Sequence, residues 1–384
     1  MDINFHYFTV KTLARYAGFP ESEAQRIAEF SEYIDDFNWI TCLDCKNIPP
    51  FIKDDPDCDL YMGSILTLNF NFNPAMTGFS SYIDLLFLTA KRTQRFTVSP
   101  FHFIPRRVDS ISDHSRTTPA IVGDGSLISD MLTKARNSLQ NETEDRMICL
   151  KRIGMYLHTF ADTYAHQLFS GYRSWANDVE ISNVIDNGAK KDITNAVMQS
   201  VRERNKQGAE NGIIPMIGHA LAGHTPDLTN VSFTMKYKRD ENDNERSLVH
   251  TRSNTSEFLI AARNILNYLR SCRGEGNVTE GDWEALADKI RSVFLISYNE
   301  NTKIQTFIKN WKGKFPEIEY DFNKADIEAR FYEPNSNSNS MVDNQDPNSF
   351  LGNNYSAEFY EYNYIADKVL VKMYGSKPRS GWWD

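Results

Sequence analysis

His158-Thr159-Phe160-Ala161-Asp162-Thr163-Tyr164-Ala165-His166 sets two imidazoles and one carboxylate at positions i, i+4 and i+8. On an α-helix each four-residue step turns a side chain about 40° past a full turn, so the three share a stripe roughly 80° wide. Their Cα atoms would span about 12 Å along the axis, at about 1.5 Å per residue. One ion with ligand bonds of about 2.0–2.1 Å does not take all three. Two ions about 3.5–4 Å apart, bridged by the central carboxylate, fit the span. Ile153, Leu157 and Phe160 before and within the stretch, and Leu168 and Phe169 after it, turn this helix inward. The expectation is a buried metal site on a central helix.

Outward from it, helical spacing recurs at 126–140, 144–172 and 188–207, and again at 255–272, 281–298, 301–311 and 356–374. Residues 7–34 read as two helices, with Leu13, Ala14 and Ala17 on one and Ala24, Ile27, Ala28 and Phe30 on the other. Gly18-Phe19-Pro20 breaks them. Residues 40–60 are loop-like. LTLNFNF (66–72) alternates with period two, and RFTVSPFHFIP (95–105) is rich in β-branched and aromatic residues, so a β-containing or irregular insertion is predicted at about 40–100. The polar, low-complexity stretch at 335–350 reads as a flexible surface loop. The predicted class is mainly α, with that one insertion and a helical C-terminal extension.

Composition narrows the function. The 384 residues are 41% hydrophobic and 24% charged, the balance of a globular chain. With 42 basic against 51 acidic residues, the net charge of −9 disfavours general duplex binding, which draws its affinity from a basic surplus. No apolar run reaches the roughly 18 residues of a membrane span. The opening MDINFHYFTV lacks a basic n-region and a long apolar h-region, so the chain is expected in the cytoplasm or exported by a signal-peptide-independent route. Five cysteines imply no disulfide framework. Cys42, Cys45 and Cys58 offer three of the four ligands that a closed zinc knuckle needs.

Further metal-ligand residue types lie at His6, at Asp35-Asp36 in YIDDF, at His102 in FHFIP, and at His219, His224 and Asp227 among flexible glycines. Their order resembles that of the zinc-dependent phospholipase C and P1-type nuclease superfamily. LHTFADTYAHQLFSG (157–171) is similar to the LH-x3-D-x2-AH-x2-F signature of bacterial members, and the stretch from Phe5 to Asp36 resembles an uncharacterised bacterial branch. The likeness covers roughly residues 1–237, which it implies to be a metal-binding catalytic domain, and leaves 238–384 as the helical C-terminal extension. It implies a helical fold with two or three Zn2+ ions, held by His6, Asp35 or Asp36, His102, His158, Asp162, His166, His219, and His224 or Asp227. One ion would take His158, Asp162, His102 and Asp35, and a second His166 and His219. The carboxylate of Asp35-Asp36 that is not a ligand would be the base orienting the attacking water. The pattern departs in three places: Met1 stands where exported members carry a processed Trp, the gap from Asp35 to His102 is long, and Gly223 occupies the usual place of the last carboxylate.

The implied activity is phosphodiester hydrolysis. A phospholipid or small phosphodiester is the expected substrate, with Phe70, Phe72, Met76, Phe79, Tyr82 and Phe87 available either for an apolar mouth or, equally, for the core. Single-stranded nucleic acid is the alternative, with Arg106-Arg107 and Lys190-Lys191 as its basic contacts. A non-catalytic, metal-stabilised binding protein is the competing class.

Overall fold

The computed structural model describes residues 1–38, 43–61, 71–78, 91–210, 216–239, 245–298, 302–333 and 354–375. The chain divides into two units interleaved in sequence: Met1–Ile34 with Ser81–Phe322, and Asp35–Ser80 with Asn323–Asp384. Neither coincides with 1–237 or 238–384.

The first unit opens with a π-helical turn, Asn4–Thr9, running directly into helix α1, Val10–Tyr16. Gly18, at φ +87°, makes the reversal into α2, Glu21–Glu32. Helices α3 (Leu127–Gln140) and α4 (Arg146–Ala165) follow. Asp145 caps α4 by accepting from the amides of Met147 and Ile148, satisfying two of the donors that a helix start leaves over. From Cys149 to Ala165 every residue of α4 except Arg152 is buried, so this helix is wrapped on all sides. Its closest neighbour is α2, and Gly154 makes that approach possible. A Cβ built there would stand 2.2 Å from the Ile27 carbonyl oxygen. Because the obstacle is backbone, Gly154→Ala is expected to destabilise the protein by about 1–3 kcal/mol or more, read as a lowered midpoint in urea.

The sheet is the main departure from the expected mainly α, phospholipase C/P1 nuclease-like helical fold. Strands β1 (Val179–Asp186), β2 (Lys191–Asp192), β3 (Val231–Arg239) and β4 (Glu245–Ser253) form one antiparallel sheet in the order β2-β1-β3-β4. The fold is therefore mixed, mainly helical with a four-stranded sheet. The sheet lies well after the predicted insertion at 40–100, and the 237/238 boundary falls inside β3. Val231, Phe233, Met235 and Tyr237 are buried and alternate with Ser232, Thr234, Lys236 and Lys238, the period-two pattern of a strand with one covered face. A register shift between Ser182 and Ile185 interrupts β1 against β3, with Asn183 at φ +52°.

The stretch 95–105 is also corrected. It forms a π-helical turn, Gln94–Val98, and a short helix, Ser99–His102, instead of a strand. Gln94, Thr97, Val98 and Phe101 are buried at i, i+3, i+4 and i+7, so helical spacing prevails over β-branched composition. Helix α5 (Thr194–Glu210) lies between β2 and β3, and α6 (Asn254–Cys272), α7 (Glu280–Phe294) and α8 (Ile304–Lys314) follow the sheet. The fully buried Trp311 of α8 donates to Asn4 at 2.7 Å, fixing the turn that carries His6.

The second unit contains a short helix, Pro50–Lys53, with α9 (Lys324–Arg330) and α10 (Ala357–Tyr374). Its core is aromatic: Phe37 meets Tyr362 at 4.6 Å and Tyr355 stacks on Phe359 at 4.3 Å. Phe72 is fully buried against Phe359 and Tyr360, so it belongs to this core and not to an apolar mouth. Phe70, Phe79, Tyr82, Phe87, Cys42, most of LTLNFNF and the predicted loop at 335–350 lie outside the described residues. No helix among the described residues is long and apolar enough to cross a membrane.

Candidate metal centre

Each element delivers its donors differently. His6 rides on the N-terminal π-helical turn, and His102 ends the helix that follows the second π-helical turn. Such turns shift the helical register and recur at functional sites. His158 and Asp162 project from the last two turns of α4, while His166 is the residue that caps its C-terminus. Gly218, at φ +53°, brings the 217–227 segment past Phe103, where a Cβ would stand 2.3 Å from the ring.

Asp162 is the hub. Its Oδ1 lies 2.5 Å from the Met1 amine and 3.1 Å from His6 Nε2. Its Oδ2 lies 3.3 Å from His102 Nδ1, 3.3 Å from His158 Nε2 and 3.5 Å from His166 Nδ1. The His102 and His158 nitrogens are also 3.3 Å apart. His102 Nδ1, His158 Nε2 and Asp162 Oδ2 thus form a triangle of three equal edges. Four tetrahedral ligands with bonds of about 2.0–2.1 Å have edges of about 3.3–3.4 Å, so the triangle has the size of one face of a zinc site.

A second group surrounds Asp227. Its Oδ1 is 3.0 Å from His166 Nε2 and its Oδ2 is 3.3 Å from His219 Nε2. The Nε2 of His166 turns to Asp227, while its Nδ1 lies 3.5 Å from Asp162 Oδ2.

The tautomers follow from the carbonyls. A carbonyl only accepts, so His158 Nδ1–H donates to Ser31 O at 2.7 Å, His166 Nδ1–H to His102 O at 2.6 Å, and His219 Nδ1–H to Gly223 O at 2.7 Å. Each leaves its Nε2 facing a carboxylate oxygen, a contact that needs a cation between the two, either a second ring proton or a metal ion. Outer-shell carbonyls orient metal-bound histidines in this way. Burial pushes His219 down to about 4, with Asp227 opposing. Burial also pushes His6 down to about 3, helped by His158 and the terminal amine. These imidazoles are held neutral, as ligands must be. The Nδ1 of His6 is buried and finds no hydrogen-bond partner among the described residues. Burial raises both carboxylates, but the charge of the surrounding imidazoles in their protonated form, His166 first at Asp162 and His219 first at Asp227, together with the amine outweighs it. Both stay ionised, well below the usual carboxylate range. The donor set fits divalent metal, and two first-unit groups, His102–His158–Asp162 and His166–His219–Asp227, each bring three ligand atoms within 4.8 Å.

Residues 1–373 match a family of unknown function, DUF6765. The chain belongs to the DUF6765 family. No characterised protein and no solved structure gives a match.

Within this DUF6765 chain the remaining candidates separate. Asp35 and Asp36 are the first residues of the second unit. Asp36 accepts from Lys324 at 2.9 Å, and burial pushes its carboxyl up against that lysine's pull. His224 is 57% exposed and stands 3.8 Å from Asp227, on the rim. Ser31, Gly223 and the carbonyl of His102 escape sequence reading because a main-chain oxygen carries no residue signal. His224→Ala is expected to leave zinc affinity within about threefold, while His219→Ala weakens one ion at least about a hundredfold. Calorimetric zinc titration of the two variants compares them directly.

Proposed function

We propose that the chain is a zinc-dependent phosphodiester hydrolase, phospholipase C-like in preferring a phospholipid or small phosphodiester. The observation that carries this reading is the pair of largely buried donor groups, in which Nδ1 protons are tied to carbonyls and Nε2 atoms face ionised carboxylates. Two or three bound Zn2+ ions would supply Lewis acidity and lower the pKa of a coordinated water towards neutrality. His102, His158 and Asp162 would hold one ion, and His166, His219 and Asp227 another. Asp162 Oδ1 faces His6 while its Oδ2 serves the triangle, so this carboxylate joins the two sides of the centre. The carbonyls of Ser31, His102 and Gly223 keep three imidazoles in the ligating tautomer throughout.

The preference for a small or lipid substrate rests on charge. Beyond the net −9, Arg106 is paired with Asp124 at 3.2 Å and Arg107 with Asp109 at 3.0 Å, so both arginines already face a carboxylate. Lys190 and Lys191 are exposed at the β1–β2 turn. That is a thin basic surface for a polynucleotide.

Purified protein should carry at least two zinc ions per chain by elemental analysis, and fewer than one would sink the enzyme reading. Bis-p-nitrophenyl phosphate turnover should disappear on chelation and return with zinc. Phosphatidylcholine vesicles should then be cleaved faster than single-stranded DNA. The reverse order would make the chain a P1-type nuclease, and a zinc-loaded protein inert on all three substrates would be a binding protein.

A further inference from the structure

The sheet reaches the metal centre through one arginine. Arg252, paired with Phe233 near the end of β4, is 4% exposed. Its Nη1 donates to Tyr164 O at 2.9 Å, and its Nη2 donates to Ala165 O at 2.8 Å and to Pro226 O at 3.0 Å. Tyr164 and Ala165 are the last two residues of α4, where helix carbonyls lack partners and the helix dipole is negative. The ring of Phe233 lies 5.1 Å from the guanidinium carbon. The next residue after Ala165 is His166, and the next after Pro226 is Asp227. One planar cation therefore grips the carbonyl immediately before each of two ligands in the second group. Asn254, two residues on, donates from Nδ2 to Thr225 O at 2.8 Å and to Leu228 O at 2.7 Å, pinning the same loop on both sides of Asp227.

A buried guanidinium is costly to desolvate, and carbonyls repay that less fully than a carboxylate would. Its geometry gives it a purpose: it sets the 3.0 Å approach of His166 Nε2 to Asp227 Oδ1 from a rigid strand. We infer that Arg252 is a positioning residue for the ion held by His166, His219 and Asp227, an inference resting on the metal reading above. The hydrogen bonds of Arg252 go to main-chain carbonyls. The residue acts by holding two chain segments in register, and lysine, a point charge without the fork, cannot span three carbonyls.

The test is calorimetric titration of Zn2+ into chelator-treated full-length protein, with Co2+ spectra as a second readout. His219→Ala marks which binding step belongs to the second group. Arg252→Lys is expected to weaken that same step ten- to a hundredfold, leaving the other step and its Co2+ spectrum unchanged. A merely structural arginine would alter thermal stability and move both steps together or neither. Either result in a folded variant overturns the inference while the metal reading stands. A wild-type protein that binds no zinc overturns both. Should Arg252→Lys fail to fold, Arg252→Gln keeps a planar donor on the strand but is too short to hold the α4 carbonyls and Pro226 O together. It is expected to weaken the same step, and equal weakening of both steps counts against the inference.

Discussion

Asp162→Asn is expected to remove at least one zinc ion per chain and to lower phosphodiester turnover by about a thousandfold or more, on the order of 4 kcal/mol in the barrier. The reason lies in how many partners share this carboxylate. It is 1% exposed, and the Met1 amine and the imidazoles of His6, His102, His158 and His166 all lie within 3.5 Å of its two oxygens. An amide of the same shape keeps the packing but brings no charge, and its NH2 would point a donor into one side of the cluster. His102 Nδ1 and His158 Nε2 would still lie 3.3 Å apart, with two-thirds of the triangle and no anion. Asp162→Glu is the informative contrast. It keeps the charge and displaces it by one methylene, so ion content should be partly retained while turnover still falls. Circular dichroism that matches the wild type separates loss of the centre from loss of the fold. Wild-type ion content in Asp162→Asn would take Asp162 out of the centre.

The α-helices around this centre were legible because their signal is local and periodic. Leu13, Ala24, Ile27, Leu157 and Phe160 recur at helical spacing and are all fully buried. The sheet was not found, although its signal was present in β3, where Val231, Phe233, Met235 and Tyr237 alternate with polar residues. What made it hard to place was the company of each strand. β2 has two residues, β1 is broken by a register shift, and β4 carries Leu248 and Val249 exposed beside a buried Arg252. In the opposite sense, Phe96, Thr97 and Val98 carry β propensity while Gln94, Val98 and Phe101 face the interior at helical intervals. There tertiary packing decided against composition.

The centre itself was readable only as far as side-chain type and order go. His158 and Asp162 stand out through spacing. That His166 turns its Nε2 away to Asp227 depends on its being the cap of α4 and not a residue within it, with its Nδ1 drawn to His102 O. Helix ends are the least determinate feature of a sequence, and here one end decides which candidate donors belong together. The choice between His224 and Asp227 likewise depends on the conformation of the 217–227 segment. Gly218 at φ +53° and Gly223 at φ +59° direct Asp227 inward and leave His224 at the rim.

Acidification of the chelator-treated protein is expected to weaken it in two stages, a shallow one from pH 6.5 to about 4 and a steep one below. His219 and His6, held down to about 4 and about 3, refuse protons that the unfolded chain accepts from about pH 6.5 downward. Stability rises with pH wherever the unfolded state binds more protons, so these two groups lower it as pH falls. Asp2 acts the other way. Burial raises its carboxyl to about 7, against the pull of the terminal amine, so the folded chain holds a proton there that the unfolded chain releases above about pH 4. Between pH 6.5 and 4 the three leave a net difference of about one proton, a loss on the order of 3 kcal/mol over that span. Below about pH 4 the compensation from Asp2 ends. Asp162 and Asp227, whose folded-state values lie well below the carboxylate range, then join His6 in losing stability as protons are forced on them. Zinc competes with protons for the same nitrogens and oxygens, so the zinc-loaded protein should enter both stages at lower pH. Urea midpoints measured at half-unit intervals from pH 7.5 to 3.5, with and without zinc, give the profile. A midpoint that stays flat between pH 6.5 and 4 without metal and then drops no faster below 4 would mean that these imidazoles and carboxylates are not locked in the states the geometry assigns to them.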